Sequence, residues 1–259
     1  MFRVLLVATA LLMTSMSQAA VQEKAVTYSY EGDVKMTGFL YWDDAVQGKR
    51  PGVLVIHEWW GLNDYAKKRA RMLAELGYVA FAADMYGDNK VTTQREQASG
   101  WMQEVTADVE GWRERAALGL KQLVDSGMVD SEKLAAIGYC FGGASVLQMS
   151  YANAPVKGVV SFHGALPAAP EEVKGKVGPK ILVLHGQADS FVAPEVVTNF
   201  RNKLDAAEAD WEMNTYGGAR HGFTNPDAGD FGMDNLQYNA MADKRSWQRM
   251  QSFFDELFN

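Results

Sequence analysis

The stretch "LAAIGYCFGGASVL", residues 134–147, holds the only cysteine in a chain of 259 residues. Gly138 and Gly142 flank Cys140 at minus two and plus two, after an apolar run at 134–137 and ahead of a helix-compatible stretch over about 141–152. A strand that turns sharply into a helix forces its apex residue into a strained backbone, and only very small neighbours leave room. The pattern is that of a nucleophile elbow, G-x-S-x-G with cysteine in place of serine. At the apex, sulfur meets the positive end of the helix, which favours the anionic nucleophile, and the backbone N–H of the next residue, Phe141, helps hold an oxyanion. A buried cysteine acting as a small hydrophobe is the alternative. The remaining machinery decides between them.

A thiol nucleophile needs a base that later protonates the leaving group, and an acid that orients that base. In the chain order that goes with the elbow, both lie downstream of the nucleophile. Of the four histidines, His57 lies upstream, and His163 and His185 lie at strand ends before any suitable acid. His221, in "YGGARHGF", sits in a glycine-rich loop before the last helix and has the expected order. Asp189, in "ILVLHGQADSFV", lies just past a strand and is the expected acid. Asp84, in "AADMYG", also follows a strand, but it lies upstream and reads as structural or turn-capping.

The segment "VLVIHEWWGLND" carries His57-Glu58, yet a zinc-binding H-E-x-x-H fails because Gly61 stands where the second histidine belongs. No metal is expected. The end of this early strand is where the elbow's partner loop supplies a second oxyanion donor, here the Trp59 N–H, with the indoles of Trp59 and Trp60 available to wall an apolar pocket.

Positioning these residues requires a helix-covered, mostly parallel sheet. Short unbroken apolar runs at 53–56, 79–83, 134–137, 159–160 and 181–184 suit strands buried on both faces. Helical patterns lie between them, at 62–76 with Asn63 or Asp64 as cap and Gly77 as stop, through Val109, Trp112, Ala116 and Leu123 before Gly127, and from Trp247 to Leu257. An alternating stretch from Val26 to Trp42 around Glu31-Gly32-Asp33 predicts an antiparallel hairpin at a sheet edge. Strand–helix alternation places ligands at the carboxyl ends of the strands. No linker or repeat divides the chain, so residues 20–259 are expected to form one α/β domain.

The composition is that of a globular protein, 47% hydrophobic with a formal net charge of -7, which argues against a nucleic-acid partner and for a small or neutral ligand. Residues 1–19 have the layout of a secretory signal peptide: Arg3, an apolar stretch over 4–13, then small and polar residues with cleavage after Ala19 or Ala20. The apolar stretch is too short for a stable membrane span. A periplasmic or secreted protein, monomeric and without cofactor, is expected.

Taken together, "HEWWGL", "GYCFGG", "HGQADSFV" and "ARHGF", in that order, resemble the dienelactone hydrolases, the carboxymethylenebutenolidases of the α/β-hydrolase superfamily, over about residues 25–259. The resemblance implies the α/β-hydrolase fold and acyl transfer to water through a thioester at Cys140, with His221 as general base and acid and Asp189 as its orienting acid. It further implies that Glu58 contacts the resting thiol and helps activate it, that the Trp59 and Phe141 N–H groups hold the oxyanion, and that the substrate is a small ester or lactone. Trp60, Tyr139, Arg220, Phe223 and Asn225 are the side chains expected around the substrate. Family members that cleave dienelactones hold the substrate carboxylate with arginines, one shortly after the catalytic histidine. Here Asn225 stands at that place, with Arg220 adjacent to His221, and the export signal is a second departure, so a different ester or lactone is expected. A thioesterase or peptidase on the same triad, and a binding or thiol-redox protein that retains the fold, are the alternatives.

Overall fold

The computed structural model describes residues 20–259, and the signal peptide expected over 1–19 lies outside the described residues. Two strands, β1 (Val21–Tyr30) and β2 (Val34–Asp43), pair antiparallel around the expected turn, with Tyr30 opposite Val34. They form one edge of an eight-stranded sheet, completed by β3 (Arg50–Ile56), β4 (Val79–Ala83), β5 (Val129–Tyr139), β6 (Gly158–Phe162), β7 (Lys180–Gly186) and β8 (Trp211–Tyr216). The order is β1-β2-β4-β3-β5-β6-β7-β8, and every pairing from β4 to β8 is parallel. This is the mixed α/β sheet with an antiparallel hairpin that the apolar runs predict.

Successive side chains of a strand point to opposite faces, so an unbroken apolar run serves two cores at once. Val53 and Val55 belong to the core shared with Leu73 of α1 (Asp64–Glu75) and Phe254 of α6 (Ala240–Phe258). Leu54 and Ile56 face the opposite core, with Leu120 of α3 (Val109–Asp125) and Leu147 of α4 (Phe141–Tyr151). Helix α1 starts where expected: the Asn63 side chain accepts the Ala66 N–H at 3.3 Å, and Gly77 follows the helix at φ +91°.

The sequence patterns did not reveal α2 (Arg95–Ala107), α5 (Pro194–Ala206) or β8. Helix α2 buries only Ala98 and Val105, and β8 is a half-buried edge strand, so neither carries a strong apolar period. Past the carboxyl ends of β3, β5, β6, β7 and β8, the chain presents residues 57–59, 140, 163, 189 and 221 along one rim of the sheet.

Candidate active site

Cys140 is the residue between β5 and α4, at φ 54° and ψ −113°, a conformation that side-chain-bearing residues rarely adopt. Its surroundings impose that strain. The Cys140 N–H donates to the Phe162 carbonyl and the Gly142 N–H to the His57 carbonyl, each at 3.0 Å. A Cβ on Gly138 would stand 1.9 Å from the Gly142 carbonyl oxygen, and one on Gly142 would stand 2.2 Å from that of Ile56. Backbone atoms cannot yield that space, so the approach of α4 to β3 and β5 requires glycine at both positions. The thiol is thereby held half-buried at the N-terminus of α4, not sealed in the core.

Asp189 and His221 come together beside it. The His221 Nδ1 lies 2.8 Å from Asp189 Oδ2, and Asp189 Oδ1 accepts the Phe191 N–H at 3.0 Å. Burial works to lower the His221 pKa, but the adjacent Cys140 sulfur and the Asp189 carboxylate outweigh it and hold the imidazole well above the usual histidine range. With Nδ1–H committed to Asp189, Nε2 is the nitrogen left to exchange a proton with sulfur. The ring is fixed between Phe191 and His163, whose centroids lie 5.0 and 5.2 Å away in edge-on contacts.

The loop after β3 is pinned from several sides. His57 Nε2 accepts the Met85 N–H at 3.2 Å, so Nδ1 carries the proton and donates to the Glu58 carbonyl at 2.6 Å; burial pushes this imidazole's pKa down and keeps it neutral. Both ring nitrogens are thus engaged within the protein, and His57 has none to offer a metal. The Tyr86 hydroxyl donates to the Trp59 carbonyl at 3.1 Å. Asp84 caps the neighbouring turn, accepting the N–H groups of Tyr86 and Gly87, the turn-capping role expected for it. Among the described residues, no protein acceptor takes the N–H of Trp59 or of Phe141, and both residues line the same cavity as Cys140 and His221.

Glu58 differs from expectation. Its carboxylate is fully buried and accepts from the Asn225 amide at 2.8 Å; no hydrogen bond joins it to the Cys140 thiol among the described residues. Burial pushes its pKa up to about 7, against the opposing pull of Asn225, His221 and Arg69. Asn225, expected around the substrate, is instead the partner that holds Glu58.

The cavity has a volume of about 480 Å³ and is walled by Trp59, Met102, Trp112, Leu166 and Phe191, with Cys140 and His221 exposed to it. Trp60, Tyr139, Phe223 and Arg220 do not line it. Trp60 stacks on Phe231 at 4.1 Å and packs with Ala98 and Leu236. Tyr139 is the last residue of β5, so its side chain takes the face opposite to the elbow, stacked on Phe162 at 4.7 Å. Phe223 is buried against His163 and Tyr216, and exposed Arg220 donates to the Asp234 carbonyl at 2.7 Å. The walls come largely from α2, α3 and the loops after β6 and β7, which no local motif marks; Trp112 was legible only as part of a helical core face.

Behind His221 runs a buried polar chain that the sequence did not reveal. His163 Nε2 meets Thr224 Oγ1 at 2.7 Å, Thr224 Oγ1 meets the Tyr65 hydroxyl at 2.5 Å, and Arg69 joins Tyr65, the Thr224 carbonyl and Asp243. Burial, helped by the nearby charges of His221 and Arg69, pushes the His163 pKa well down, so this ring stays neutral and serves as packing for His221.

Known proteins share this architecture. Residues 36–258 match the model of the dienelactone hydrolase family. A solved structure described as a dienelactone hydrolase-like promiscuous phosphotriesterase from metagenomic libraries is 39% identical, with a TM-score of 0.88 over 93% of this chain and 100% of that one. A provisionally named carboxymethylenebutenolidase of Saccharolobus solfataricus is 28% identical over 89% of this chain and 97% of its own. A dienelactone hydrolase of Anabaena variabilis, 21% identical with a TM-score of 0.60 over 89% of this chain and 98% of that one, shares the fold. The chain belongs to the dienelactone hydrolase family and is a hydrolase of carboxylic ester bonds built on the α/β-hydrolase fold.

Proposed function

We propose that this protein is an exported hydrolase of small esters or lactones that works through a Cys140–His221–Asp189 triad. The observation that carries the reading is the buried Asp189–His221 pair set beside a thiol at a strained strand–helix apex, with His221 and Cys140 opening on one cavity. Sulfur, its proton held on His221 Nε2, attacks the carbonyl carbon, and the resulting oxyanion is held by the Trp59 and Phe141 N–H groups. Collapse of the tetrahedral intermediate breaks the C–O bond; the alkoxide leaves with the proton from His221, and a thioester remains. Water, deprotonated by the same imidazole, then releases the acid and restores the thiol. Glu58, tied at rest to Asn225, assists thiol activation as substrate enters. Export rests on the sequence of residues 1–19.

The experiment is hydrolysis of a short-chain 4-nitrophenyl ester by residues 20–259, with Cys140→Ala and His221→Ala alongside. Turnover by the wild type and a fall of about 10³-fold or more in each variant support the triad. Equal rates in all three would reject it and favour the binding or thiol-redox alternative.

A further inference from the structure

We infer that the cavity at Cys140 selects an uncharged, apolar group on its ester, of phenyl size or larger, and rejects substrates that carry a carboxylate there. The inference deepens, and rests on, the hydrolase reading above. Its basis is the wall: among the described residues no lysine or arginine lines the cavity, and the one lining residue with a side-chain oxygen is Thr106. Trp112 has an N–H that could greet an anion, but it donates to Ser145 Oγ at 2.8 Å. Its ring lies stacked at 11° on Phe141, so carbon faces the ligand.

Arg220, the cation expected from the sequence, and Arg69, whose charge acts on Glu58, are committed elsewhere. Arg220 is exposed and bound to the Asp234 carbonyl, and Arg69 is buried in the chain that joins Thr224 and Asp243. The polar group at the arginine-like position, Asn225, is spent on Glu58. An anionic group on the ligand would therefore be desolvated with no lysine or arginine on the wall to pair with it. A cavity of this volume with aromatic walls gains most from burying apolar ligand surface.

The test uses residues 20–259 and a matched pair, 4-nitrophenyl hexanoate and the 4-nitrophenyl monoester of adipic acid, which differ by a terminal carboxylate. The expected preference for the neutral ester is about 100-fold or more in kcat/KM, because an unpaired carboxylate cannot be buried at low cost. Met102→Arg, at a half-buried lining position where a guanidinium can reach water, is expected to shrink that preference about tenfold or more. A second readout needs no turnover: alkylation of Cys140 by N-benzyliodoacetamide against N-(4-carboxybenzyl)iodoacetamide, each normalised to free cysteine. Faster reaction with the neutral reagent supports the inference even if neither ester is hydrolysed, an outcome that would remove the hydrolase reading alone. Equal alkylation rates, or an equal or better rate with the adipate ester, would overturn the inference while leaving any esterase activity standing.

Discussion

His221 and Asp189 meet in one buried hydrogen bond, Nδ1 to Oδ2 at 2.8 Å, and that bond decides which face of the imidazole can serve the Cys140 sulfur. Replacing Asp189 with Asn keeps the shape but presents an amide that can donate to Nδ1. The ring then turns to the tautomer with its proton on Nε2, where a base is needed. A loss of kcat on the order of 10³–10⁴-fold is expected, with KM changed far less. Steady-state kinetics on an aryl ester check this.

Glu58 makes a prediction about stability and pH. Its carboxyl titrates at about 7 in the folded protein against an ordinary 4.5, so the folded state holds its proton more tightly than the unfolded chain. The contribution to stability is therefore full below pH 4.5 and is lost as pH rises through 7, by about 3 kcal/mol in all. Glu58→Gln retains an acceptor for the Asn225 amide without the ionisation. Denaturant melts across pH 4.5–8 should show the difference between variant and wild type growing in the variant's favour over that window. His221, also raised and electrostatically linked to Glu58, adds its own loss above pH 6.5, so the Glu58 effect is read most directly between pH 4.5 and 6.5.

Two glycines separate a steric requirement from a flexible surface. Gly142→Ala drives a methyl group to 2.2 Å from the Ile56 carbonyl oxygen, and is expected to lower stability by about 3 kcal/mol or more and to displace the sulfur. Gly100, inside α2, has nothing within 4 Å of an added Cβ, so Gly100→Ala is expected to stabilise by about 0.5–1 kcal/mol. Chemical denaturation of the pair distinguishes them.

Thr224 joins His163 and Tyr65 through a single hydroxyl. Thr224→Val keeps the volume and leaves two buried polar groups without that partner, for an expected cost on the order of 2–4 kcal/mol. Because His163 packs edge-on against His221, kcat should also fall, with KM nearly unchanged. Melting temperature and kinetics on the same preparation test both parts.

The meeting of Asp189 and His221 beside Cys140 was legible because strong local chemistry marks these positions. Gly138-x-Cys140-x-Gly142 announces the elbow, and the backbone clashes that any Cβ would create explain why glycine is needed. Asp189 and His221 followed from chain order at strand ends. Expectation failed where a side chain's direction depends on tertiary packing. Tyr139 adjoins Cys140 in sequence but points to the opposite face of the sheet, and Asn225 turns to Glu58 in place of a ligand. The walls contributed by α2 and by Leu166 carry no motif, since a residue becomes lining only when other elements leave space over it. The Tyr65–Thr224–His163 chain links residues up to 159 positions apart, a distance over which no spacing rule operates.

The most direct test of the central claim is to identify the acylated residue. Wild-type protein, residues 20–259, is quenched in acid within the first turnovers of a 4-nitrophenyl ester, and its intact mass and peptides are measured. The triad predicts one acyl group, carried as a thioester by the peptide containing Cys140, removable by neutral hydroxylamine and absent from Cys140→Ala, which should also lack turnover. Unchanged turnover in Cys140→Ala, or an acyl group on another residue, would contradict it.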